Sequence, residues 1–83
     1  MPKRGIDFIR DVVAWLELQG VNKDSVIGLP LLEKAMTLTV AMYGRTQQNY
    51  IEQMMKLGIL LPVEGKRGKE WRIDFDEYAR LII

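Results

Sequence analysis

Between Ile6 and Gln19 the apolar residues fall on one side of a helix: Ile6, Ile9, Val13 and Leu16 step by three and four, and Arg10, Ala14 and Glu17 lie opposite. The spacing predicts a first helix over 6–19, with 1–5 as a flexible N-terminus and Gly20 placed for the left-handed turn that closes a helix. A second stripe, Phe8, Val12 and Trp15, widens the apolar arc to about half the circumference, more than one packed neighbour usually covers.

The stretch "VNKDSVI" is polar and then β-branched, which fits a loop ending in a short strand near Val26 and Ile27. Pro30 suits a first helical turn, where its missing N–H costs nothing, and Glu33 favours the same end through the helix dipole. A second helix is therefore expected over 30–43, burying Leu31, Ala35, Leu38 and Met42, flanked by Leu32, Met36 and Val40, and broken at Gly44. Thr46 is placed as the N-cap of a third helix over 46–57 that buries Ile51, Met54 and Leu57 and closes at Gly58. Trp71, Ile73 and Phe75 then alternate with Arg72 and Asp74 behind the glycine-bracketed "GKRG", so 59–75 reads as a hairpin, with Pro62 on a short or edge strand. Asp74 and Glu77 have capping-box spacing before a final helix over 76–83 that buries Tyr78, Leu81 and Ile82. The expected class is a single domain over 1–83, mainly α with a small β-hairpin.

Composition narrows the chemistry. The 83 residues include no cysteine and no histidine, which removes disulfides, thiolate nucleophiles, ordinary zinc clusters and imidazole acid/base work. The carboxylate pairs Asp7/Asp11 and Asp76/Glu77 have no nucleophile or phosphate loop beside them, so no enzyme, no metal and no cofactor is expected. Apolar runs are too short to span a bilayer and "MPKRGIDF" lacks a leader's apolar stretch, giving the expectation of a cytoplasmic protein without membrane contact. The methionines Met36, Met42, Met54 and Met55 read as flexible core filler. The net charge is only +1, yet residues 43–72 carry Arg45, Lys56, Lys66, Arg67, Lys69 and Arg72 against Glu52, Glu64 and Glu70.

The order helix, short strand, helix, glycine turn, helix, hairpin resembles the winged helix-turn-helix superfamily over about residues 6–75. Two stretches carry the resemblance: "MYGRTQQNYIEQMMKLGILLP", with its "LGIL" helix-to-wing junction, and the wing-like "VEGKRGKEWRI". It implies sequence-specific binding of double-stranded DNA, with the third helix in the major groove and the wing on the backbone or in the minor groove, as in a small transcriptional regulator. With Ile51, Met54 and Leu57 inward, Gln48, Asn49, Glu52 and Gln53 turn to solvent, with Arg45 and Gln47 at the exposed N-terminal end. Amides pair with adenine edges and arginine with guanine, while Lys66, Arg67 and Lys69 suit phosphates. The DNA-contacting set expected is thus Arg45, Thr46, Gln47, Gln48, Asn49, Gln53, Lys66, Arg67 and Lys69. Phe8, Val12, Trp15, Leu81 and Ile82 are expected to form a homodimer face that sets two such helices about one DNA turn apart, the alternative being packing within one chain. Two other readings share the fold: a protein-interaction module docking through the first helix and the C-terminal residues, and a replication or plasmid-partition DNA binder.

Overall fold

The computed structural model describes residues 5–40, 44–63 and 69–82. Four helices and three strands are found among them: α1 (Gly5–Leu18), β1 (Ile27–Gly28), α2 (Leu29–Thr39), α3 (Gly44–Lys56), β2 (Leu60–Pro62), β3 (Glu70–Ile73) and α4 (Phe75–Ile82). The chain is mainly helical, with one small antiparallel sheet in the order β1-β3-β2. Met42, Tyr43, Gly65, Lys66, Arg67, Gly68 and Ile83 lie outside the described residues, as do positions 1–4.

Glycine geometry ends both long helices. At Gly20 (φ 90°) the Val21 N–H bonds back to the Leu16 carbonyl and the Gly20 N–H to that of Glu17. The same pair of bonds recurs at Gly58 (φ 80°), where the Ile59 N–H reaches the Met54 carbonyl and the Gly58 N–H that of Met55. These double closures satisfy carbonyls a helix end would otherwise leave open, and they need a residue tolerant of positive φ. The second closure corrects the expected burial of Leu57: the helix stops at Lys56, Leu57 is 41% exposed, and Ile59, just beyond the turn, fills the core position instead.

The second helix is shorter than the expected 30–43. It stops at Thr39, whose hydroxyl donates to the Ala35 carbonyl at 2.7 Å, and Val40 has left helical geometry (φ −131°). The run of Thr37, Thr39 and Val40 carries little helix propensity to extend it. Its buried face is Leu32, Ala35 and Met36, so the expected stripe was out of phase and Leu38 is 60% exposed.

The hairpin gains a third strand because the loop after α1 returns alongside it, pairing Ile27 with Trp71 and Gly28 with Glu70. β2 pairs Leu60 with Ile73 and Leu61 with Arg72, as an edge strand. Ile59 accepts from Asp74 at 2.8 Å and Val63 donates to Glu70 at 3.1 Å, so the odd-numbered residues turn their backbone toward β3. Pro62 therefore lacks an N–H only on the outer side, where it withholds a pairing site from any incoming strand. Asp74 starts α4 by accepting the Glu77 N–H on its side-chain Oδ1 at 3.0 Å, one half of the expected capping box.

α1 lies at the centre of the core. Ile9, Val12, Val13 and Leu16 are fully buried and Phe8 is 2% exposed, its ring stacked on Tyr50 of α3 at 4.1 Å between centroids. This overturns the dimer face expected of Phe8 and Val12: the wide apolar arc of α1 is covered within the chain by α2, α4 and Tyr50, because one helix here serves several neighbours. Trp15, Leu81 and Ile82 are half-buried against the same core. Among the described residues no helix is long and apolar enough to cross a membrane.

Candidate nucleic-acid interface

α3 is held on its inner side by Gln47, Ile51 and Met54, spaced by four and three, with Tyr50 beside them. Helical periodicity then directs Arg45, Asn49, Glu52 and Lys56 straight outward, with Gln53 on one flank and Gln48 on the other. All six are exposed, and Thr46 is half-buried. Thr46 is not the N-cap expected of it, since the helix already begins at Gly44, where an added Cβ would meet nothing within 4 Å among the described residues. Arg45 lies in the first turn, at the end of the helix that favours negative charge.

Gln47 departs from the expected site. It is 4% exposed, and its Nε2 donates to the Thr37 hydroxyl at 2.7 Å and toward the Glu33 carbonyl at 3.4 Å, both on α2. Its side chain is not available to a base edge. The reason is visible in the phase of the helix: Gln47, Ile51 and Met54 are i, i+4 and i+7, so a residue one turn before Ile51 must share its inward side.

An open cleft of about 390 Å³ separates α3 from the sheet. Gln48, Glu52 and Met55 form its α3 side, Leu29 and Glu33 its α2 side, and Lys69 and Trp71 its sheet side. Lys69 is exposed, and its backbone carbonyl accepts the Leu29 N–H at 3.1 Å, which ties the base of the hairpin to the start of α2. The one described cation of the basic hairpin segment is therefore brought to the same cleft as Gln48. Lys66 and Arg67 lie outside the described residues. Trp71 is 4% exposed and its indole Nε1 is buried with no hydrogen-bond partner among the described residues, a desolvation cost of about 1–3 kcal/mol in a typical interior.

The structure thus brings Arg45, Gln48, Asn49 and Gln53 onto the exposed surface of α3 with Lys69 beside it, and withdraws Gln47. Two residues outside the expected set share that surface, Glu52 and Lys56. Glu52 was legible as solvent-facing from its spacing, and a carboxylate can accept from the cytosine amino group, whereas Glu33 and Glu52 together lower the positive potential of the cleft. No group of three potential metal-ligating side chains occurs among the described residues. Comparisons with family models, curated proteins and solved structures return no match to this chain.

Proposed function

We propose that this chain is a double-stranded DNA-binding protein of the winged helix-turn-helix type, acting in the cytoplasm as a small transcriptional regulator rather than as an enzyme. α3 enters the major groove, Arg45, Asn49 and Gln53 meet base edges or flanking phosphates, and Gln48 with Lys69 follows the backbone along the cleft. The observation that carries this reading is the outward face of α3: a guanidinium and amides exposed on a helix whose other side is anchored, next to a lysine at the hairpin base. Each well-formed side-chain pair with a base edge is worth about 1–3 kcal/mol of discrimination, and each neutralised phosphate adds salt dependence. Expected is retardation of a generic duplex at low salt that fades steeply as salt rises, and a shallower dependence for Arg45→Ala/Lys69→Ala. Absence of any retardation at low salt overturns the proposal.

A second reading, a protein-interaction module on the same fold, is favoured by one observation, the carboxylates Glu33 and Glu52 at the cleft, which repel phosphate. The same titration separates the two, because that module leaves duplex DNA unbound at every salt concentration.

A further inference from the structure

We propose that Gln47 is a positioning residue: its buried amide fixes the rotation of α3 on α2, and through that the direction in which Arg45, Gln48 and Asn49 are presented. The functional half of this inference rests on the DNA-binding reading above.

Gln47 is the buried polar side chain of the core among the described residues, and the other buried residues of α3, Ile51 and Met54, are apolar. A leucine or methionine there would bury as well without any polar group to satisfy, so hydrophobic packing does not explain an amide at this place. What an amide adds is direction. Ile51 and Met54 contact their neighbours through forces that tolerate small slides and rotations, and a methionine side chain adapts readily to them. The Nε2 hydrogens, by contrast, meet acceptors at Thr37 (2.7 Å) and Glu33 (3.4 Å), four residues apart on one side of α2. Sliding α3 along α2 or rolling it about its axis lengthens at least one of these bonds, and hydrogen bonds weaken steeply with misalignment.

The position along the helix matters equally. The C-terminal end of α3 is held by the glycine closure at Gly58 and by buried Ile59. Gln47 is the inward residue nearest the N-terminal end, so it holds the opposite end of the helix. Arg45, Gln48 and Asn49 are within two residues of it, and a roll at Gln47 re-aims all three together. Base-edge recognition needs its side chains held within about 0.5 Å and 10–20° of the productive geometry, a tolerance that apolar packing alone does not guarantee.

The test uses Gln47→Met, which keeps volume and burial while removing direction, and Thr37→Val, which removes the shorter acceptor from an exposed site. Backbone N–H residual dipolar couplings of the free proteins report the orientation of α3 relative to α2, thermal unfolding reports stability, and duplex affinity is measured for the sequence the wild-type protein selects. Gln47→Met is expected to unfold at or above the wild-type temperature, to give α3 couplings that no longer fit the wild-type orientation, and to bind its selected duplex roughly tenfold more weakly, about the loss of one base-edge pair. Thr37→Val is expected to shift couplings and affinity in the same direction by less. Should Gln47→Met fail to fold, Thr37→Val decides by the same couplings. Couplings that superimpose on the wild type in the variants that fold overturn the proposal, whatever happens to affinity. Wild-type protein that binds no duplex defeats the DNA-binding reading and the functional half of this inference, and the couplings then decide the orientation half by themselves.

Discussion

α1 and α3 are of similar length and are put to opposite uses. α1 spans 14 residues and buries Phe8, Ile9, Val12, Val13 and Leu16. α3 spans 13 and buries only Ile51, Met54 and an amide, leaving Arg45, Gln48, Asn49, Glu52, Gln53 and Lys56 exposed. α1 buries more apolar surface than α3, and the outer face of α3 carries polar groups that the core does not use. In a domain this small, whose core supplies few kcal/mol to spare, that separation lets the outer face of α3 be specialised without unfolding the protein.

The comparison is broken most sharply by one substitution on each helix. Ile9→Ala is expected to cost about 2–5 kcal/mol, read as a fall in the unfolding midpoint, since it empties a fully enclosed site at the centre of the core. Asn49→Ala, on the exposed face, is expected to stay within about 0.5 kcal/mol of wild type in stability. A large loss of stability for Asn49→Ala, or a negligible one for Ile9→Ala, would erase the distinction between the helices.

The glycine that ends α3 sharpens the contrast with the glycine that begins it. Gly58→Ala forces a left-handed backbone on an L-residue at a cost of about 1–2 kcal/mol, although among the described residues the added methyl meets only the Glu77 Cγ at 3.7 Å. Gly44→Ala, where the added methyl meets nothing within 4 Å among the described residues, is expected to be neutral or slightly stabilising in the same denaturation series. Asp74→Ala, which leaves the Glu77 N–H of α4 uncapped, is expected to cost about 1 kcal/mol.

The smallest effect is one of pH. Burial raises the Tyr78 hydroxyl above the ordinary tyrosine value of 10.0, with the Glu17 carboxylate adding to the rise and Arg10 opposing it. Because the folded protein holds this proton more tightly than the unfolded chain, the contribution is complete below pH 10.0 and is lost as pH rises through the folded-state value. Tyr78→Phe should therefore lose less stability than wild type between neutral and strongly alkaline pH, measured by urea midpoints.

Much of this architecture was legible from local signals. The first helix followed from its period, the closures at Gly20 and Gly58 from glycine placement, the start of α4 from Asp74, and the edge position of β2 from Pro62. Long-range features were harder. The pairing of Ile27 with Trp71 joins segments more than forty residues apart, and nothing near Ile27 names that partner. Phe8 and Val12 looked like surplus apolar area because α4 and Tyr50, which help to cover α1, arrive much later in the chain. Gln47 is harder for a different reason: an amide's polarity points outward while its spacing to Ile51 and Met54 points inward, and in the structure the spacing prevails. The solvent exposure of Gln48, Asn49 and Gln53 was legible from helical spacing, and that of Arg45 from its place at the start of α3.

The most direct test of an α3 face that reads DNA is selection of bound duplexes from a random pool, run in parallel with wild-type protein and Asn49→Ala. The wild-type protein is expected to enrich a defined motif, and the variant to bind in the same salt range while losing preference at an adenine within it. Failure of the wild type to enrich any motif, or an identical motif from both proteins, would contradict the assignment of base reading to this face.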